Sequence, residues 1–351
     1  MNRFLAPVFL ILFSGCSLYT DEGKPDIFYT FEDFDILSLG NSIADMQAGP
    51  DGNYLYLADY NNHAILQVDV TGSMALHGQV WVGARPVALD ISPDQTKLVV
   101  ALNGESRIVI IDLASFTVVQ SVPISLSNVT DLACVTNDLV YVSSATDPSA
   151  ISLSLADSTE TGQSVHSGML TALPADTSLL VATSVTLKKY RAATPLATQY
   201  PFIADPYGFT AHLYDAVLSP DTRTLFIGLG DENNPHAVTE VWAYDTDNLT
   251  LQGKYKTNSA GLGIAVRPDG QRVFVAPMDA DPAGVFIIEF DTATKLETHY
   301  YLVAGNLKAK GLVADPGGRY IYALVNSPGD GDSFEPYNSF SYDLQRIRIV
   351  E

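Results

Sequence analysis

Cysteine, basic residues and helical periodicity are what this sequence has least of. Two cysteines in 351 residues cannot make a disulfide framework. Nineteen Lys and Arg face 40 Asp and Glu, a formal charge of -21. Such a surface repels nucleic-acid phosphates and anionic headgroups, so no nucleic-acid role is expected. The long apolar run near the start, Phe4 to Phe13, is too short to span a bilayer as a helix. No GxSxG, HExxH, CxxCH or phosphate-loop string occurs, and the six histidines (63, 77, 166, 212, 236, 299) lack i, i+4 metal spacing. No catalytic residue, metal ligand or cofactor is therefore assigned.

What the sequence does have is repetition and an ample apolar fraction, 47%. Seven turn anchors recur: Pro50 in "GPDG", Pro93 in "SPDQ", Thr136 in "VTND", Pro174 in "LPAD", Pro220 in "SPDT", Pro268 in "RPDG" and Pro316 in "DPGG", spaced by 38 to 48 residues. A period of that size, written in short β runs, predicts an all-β fold, a seven-bladed β-propeller with four-stranded antiparallel blades. Four residues before the anchors stand Met46, Leu89, Leu132, Leu170, Ala216, Ile264 and Leu312; two before stand Ala48, Ile91, Cys134, Ala172, Leu218, Val266 and Ala314. All fourteen are apolar, the alternation an inner strand needs to pack against the next blade. Second strands follow each turn ("YLYLA", "LVVAL", "LVYVS" and their counterparts), and third strands read clearly in most units ("ILQVDV", "IVIIDL", "VWAYDT", "VFIIEFD", "RIRIV"). The last unit ends at Glu351 without an outer strand, while "FEDFDILSLGNSIADM", residues 31 to 46, reads as an outer strand leading into an inner one. The N-terminal segment is thus expected to supply the outer strand of the last blade, closing the ring and covering an open edge.

The N-terminus, "MNRFLAPVFLILFSGCS", combines a basic start, a short apolar run and small residues before Cys16. It resembles a bacterial lipoprotein signal, with Phe13 where Leu is usual. The resemblance implies residues 1–15 as signal peptide, Cys16 as the lipidation site anchoring the chain in a membrane, 16–25 as a short tether and 26–351 as a single propeller domain. Ser17 after the cysteine implies the outer membrane, in the cell envelope. Cys134 is then the remaining thiol, with no intrachain disulfide available to it, and reads as a small buried apolar residue.

The turn-strand-loop-strand unit, clearest in "VGARPVALDISPDQTKLVVALNGESRIVIIDL", resembles the YVTN-repeat β-propellers, surface-layer-like or lactonase-like proteins, over residues 40 to 351. The likeness implies fold; propellers host binding, scaffolding and enzymes alike.

The repeat register nominates a site of its own. Eight residues before the anchors stand Ser42, Arg85, Asn128, His166, His212, Ala260 and Lys308, where the chain enters each inner strand at the channel mouth. Arg85, Asn128, His166, His212 and Lys308 are candidates for binding a small anionic ligand or an acidic protein partner, with the channel walls focusing the field; loop wetness explains their polarity equally well. Lys188 and Lys189 fall outside this ring. The connection "YPFIADPYGFTAHLYDAV", residues 200 to 217, adds Tyr207 as a further candidate on a binding surface, or as part of a packed satellite. Acidic loops include Asp59, Glu105, Asp147, Asp231, Glu232, "DAD" at 279–281, "DGD" at 330–332 and Glu335, open either to calcium or to solvent as a plain acidic rim.

The expectation is an envelope lipoprotein, monomeric, acting as a binding or scaffolding module through its loop-rich face. Two alternatives remain: a lactonase-like metal-dependent hydrolase using Asp45, Asp131 and Asp215, five residues before their anchors, and a structural surface-layer-like component. Those three aspartates serve equally well as strand residues bonded to neighbouring backbone amides.

Overall fold

A computed structural model describes residues 28–30, 34–192, 198–231, 233–234, 237–278, 285–327 and 341–350. The signal, Cys16, the tether, Glu232, 279–281, 330–332 and Glu335 lie outside the described residues. The chain forms seven β-sheets in a ring. Blade 1 is β3 (Ile43–Ala48), β4 (Tyr54–Asp59), β5 (Ala64–Asp69) and β6 (Ala75–Trp81), each antiparallel to its neighbour. The next five blades repeat this order over 86–123 (β7–β10), 129–166 (β11–β14), 169–204 (β15–β18), 211–256 (β19–β22) and 261–302 (β23–β26). Blade 7 has the spatial order β2 (Phe34–Asn41), β29 (Tyr342–Arg348), β28 (Tyr320–Asn326), β27 (Leu307–Ala314).

Ring closure is therefore made by both termini, with Phe34 opposite Ile347 and Leu37 opposite Leu344. A further strand was not legible in the sequence. β1 (Phe28–Thr30) pairs in parallel with β26 (Glu297–Leu302), giving blade 6 a fifth strand before the chain crosses to blade 7. Two third strands also escaped the sequence reading, Ser149–Ser154 and Thr186–Arg191. Their serines and lysines dilute the apolar run that marks a strand. The third strand of blade 7 runs over Tyr342–Arg348, earlier than "RIRIV" suggests.

Apolar alternation is what holds the blades together. Of the seven residues four before the anchors, all but Ala216 are buried, and all fourteen in-register apolar residues border the central channel. Core clusters cross blade boundaries, as where Tyr56 of blade 1 joins Leu89, Val100 and Ile110 of blade 2. Burying each Leu, Ile or Val contributes roughly 1.5–3 kcal/mol. Cys134 is buried, and burial pushes its thiol pKa well above the usual range; it behaves as core.

A β-bulge interrupts the inner ladder at one place in blades 1, 2, 3, 5 and 6, for example between Val129 and Asp131 or Leu213 and Asp215. Blade 4 has none. Blade 7 has an enlarged version, leaving the ladder at Leu307 and rejoining at Leu312. Bulges re-aim side chains, and these decide what faces the channel.

Candidate functional site

The channel encloses a cavity of about 470 Å³ bordered by Asp45, Asp90, Asp131, Asp215 and Lys310. Innermost strands present backbone N–H groups with no further strand to pair them, and such donors need acceptors. The aspartates meet this need across blade boundaries. Asp45 Oδ2 accepts from the Leu89 amide (2.8 Å), Asp90 Oδ2 from Cys134 (2.7 Å), Asp131 Oδ2 from Leu170 (2.8 Å) and Asp215 Oδ2 from Ile264 (2.8 Å). The second oxygens of Asp45, Asp90 and Asp215 accept from Met46, Ile91 and Ala216. Asp131 instead turns Oδ1 to the Lys310 ammonium at 3.2 Å, reaching from blade 7 to blade 3. Between blades 6 and 7 a close approach replaces the carboxylate staple: a β-carbon on Gly263 would stand 3.2 Å from Leu312 Cβ.

Burial sets the protonation of this group. It raises Asp45 and pushes Asp90 and Asp215 up to about 7, with Lys310 pulling Asp45 and Asp215 the other way. Lys308, in the blade 7 bulge, is lowered by burial to about 8, against the attraction of Asp45. For Asp45 and Lys308 alike, burial thus outweighs their mutual attraction. The Lys308 ammonium donates to the carbonyls of Ala44 (2.7 Å) and Ala309 (2.9 Å). Among the described residues, no group of three His, Cys, Asp or Glu could hold a metal ion.

The rim differs from the channel wall. Blade topology places the outer-to-inner connections and the loops between second and third strands on one face. There the carbonyls of Ser42, Arg85, Asn128 and Ala260 accept from Tyr60, Asn103, Ala145 and Met278, one equivalent bond in four blades. His212, opposite Gly230, occupies the same position in blade 5. Arg85, Asn128 and His212 are exposed there. The Arg85 guanidinium lies 5.6 Å from the Tyr60 ring centroid, and His212 stands against Tyr214 at 4.7 Å.

His166 and Lys308 do not share that position. Without a bulge, blade 4 pairs Met169 with Ala182, so counting back eight residues overshoots into the blade 3 outer strand (Thr159–His166). Exposed His166 there contacts Lys188 Nζ (3.2 Å) and Tyr190 Oη (3.1 Å). Lys188, which the sequence sets apart from the ring, thus touches one of its expected members. Lys308 is drawn into the wall by the enlarged bulge, and its backbone place is taken by Asn306, whose carbonyl accepts from Asn326. Tyr207 is buried against Phe209 and Trp242, with ring centroids 6.3 and 6.0 Å away, and its hydroxyl has no hydrogen-bond partner among the described residues. Its aromatic loop packs down as a satellite of the blade 4–5 core.

No protein-family model and no curated protein matches the chain. Many solved structures share its architecture. Hydrazine synthase from Kuenenia stuttgartiensis is similar at 13% identity and a TM-score of 0.63, covering 82% of this chain and 94% of that one. The β-propeller domain of Cps50 (Swd1) from Myceliophteria thermophila is similar at 12% identity and a TM-score of 0.70, covering 91% and 100%. The chain is a seven-bladed β-propeller. At such identities the likeness carries fold and no activity.

The sequence missed Asp90 and Lys310. Asp90 lies three residues before its anchor, two beyond the position of Asp45, and bonds an amide two residues further along the next blade. A shift of two keeps a strand residue on the same face, so scanning alternate positions would have found it. Lys310 sits inside the enlarged bulge, where counting from the turn has no meaning.

Proposed function

We propose that the protein is a monomeric, lipid-anchored envelope module that binds an anionic ligand or an acidic protein segment on its loop-rich face. The observation that carries this reading is the division of labour between wall and rim. Both oxygens of each channel aspartate are engaged by backbone amides or Lys310, whereas Arg85, Asn128 and His212 stand exposed at one repeated position. Arg85 offers a charged, planar fork suited to carboxylates. His166, beside Lys188, adds a further polar group on the same face, outside that repeated position. The anchor reading rests on "LFSGC" at 12–16, and labelled palmitate should enter the parent chain and not Cys16→Ala.

Titration with a fluorescent oligoglutamate peptide tests the rim. Binding should weaken with added salt, and Arg85→Gln with His212→Gln should raise Kd by about tenfold, roughly 1.4 kcal/mol. Unchanged affinity in that double variant, with the fold intact, would show that binding lies elsewhere.

A further inference from the structure

On the opposite face, the turn between third and outer strands in blades 2, 3, 5 and 6 places a residue with positive φ against the preceding blade. Phe116 (φ 50°) lies 5.8 Å from the Tyr56 ring of blade 1, and Leu249 (φ 59°) is fully buried in the core shared with blade 4. Ser158 (φ 58°) accepts from Gln120 Nε2 of blade 2 at 3.0 Å. The equivalent in blade 6 is Lys295 (φ 62°). Its aliphatic stem crosses Gly253 of blade 5 so closely that any β-carbon there would collide with it.

The crevice so formed is not filled. A cavity of about 520 Å³ remains between blades 5 and 6, bordered by Asp221, Phe226, Gln252, Tyr255, Asp269 and Lys295 among others. That volume is in the range of small-molecule sites. Among the described residues the Lys295 ammonium makes no ion pair and no hydrogen bond, although two carboxylates border the same cavity. Asp221 commits Oδ1 to the Ser219 hydroxyl (2.6 Å) and the Arg223 amide (3.1 Å), which leaves Oδ2 without a partner among the described residues. Asp269 is engaged by Arg267 and the Gln271 amide. Gln252 is held by Thr224 and Asp245, and the Tyr255 hydroxyl by the Thr292 carbonyl. Two opposite charges thus face one cavity without meeting, over an aromatic floor.

We propose that this crevice binds a small zwitterion, a free amino acid or short peptide, with its carboxylate on Lys295 Nζ and its ammonium on Asp221 Oδ2. Phe226 and Tyr255 lie beneath its carbon skeleton. The site is separate from the rim and stands or falls independently of it.

Calorimetric titration with alanine, dialanine and trialanine, each also N-acetylated or C-amidated, tests the assignment. At least one unblocked compound should bind, and either block should weaken it by about tenfold or more. Lys295→Met, which keeps the stem over Gly253, should abolish binding with an unchanged melting curve, while Lys295→Arg should retain it. Equal binding of blocked and unblocked forms, retention in Lys295→Met, or no binding of any unblocked compound at millimolar concentration would each overturn the proposal.

Discussion

Deleting residues 26–39 should lower the melting temperature by about 10 °C, the shift expected for losing several kcal/mol from a domain of this size. The segment contributes β1 to blade 6 and most of β2 to blade 7. It also joins blade 7 to blade 1. Asp35 accepts from the Met74 amide (3.2 Å) and pairs with Arg346 (3.0 Å), which itself donates to the carbonyls of Val70 and Gly72. Asp343 accepts from the amides of Leu39 and Gly40. Removal leaves β29 as an unpaired edge, an invitation to aggregation, and leaves Asp343 with fewer donors. A melting curve matching the parent would reduce the segment to a tether.

Replacing Lys310 with Met should destabilise the propeller by about 3 kcal/mol at pH 8, the low end for breaking a buried pair because the lysine is partly exposed. Its ammonium pairs with Asp131 and also favours the charged forms of Asp45 and Asp215. The penalty should shrink to about 1 kcal/mol at pH 5, where Asp215, raised to about 7, holds its proton and needs no counter-charge. The parent should show a related trend. A folded pKa raised above the unfolded value makes a contribution that is full below about 4 and is lost as pH rises through about 7. Asp90 and Asp215 both act in this sense. Lys308, lowered to about 8, loses its contribution as pH falls from about 10 through 8, so it does not oppose the trend below pH 8. Asp90 borders the open channel, and solvent screening there trims its share. Urea midpoints at the two pH values would decide: a variant penalty equal at pH 5 and pH 8 would contradict this electrostatic picture.

Blade number, inner-strand register and closure by the N-terminal segment were legible because they rest on local signals: turn residues, period-two alternation and an unmatched last unit. The rim position was legible in the blades that share one bulge, which is why counting eight residues back finds Arg85, Asn128 and His212. It fails at His166, where the bulge is missing, and at Lys308, where it is enlarged. A bulge leaves no mark in a count from the turn. Asp45, Asp131 and Asp215 were visible as a set, but their role was not. Their partners are backbone amides 39 to 49 residues away in the next blade, and a backbone amide has no letter of its own. β1 is three residues long, too short to show alternation.

The acidic channel is a structural girdle, its aspartates bonded to backbone amides of the neighbouring blades. The most direct measurement is hydrolysis of simple lactones by the purified protein, with and without chelator, and by Asp131→Asn. Bonded aspartates that hold neighbouring blades predict no turnover above background, and an Asp131→Asn variant that changes in stability alone. Robust turnover that is lost both with chelator and in Asp131→Asn would contradict the claim and make the channel an active site.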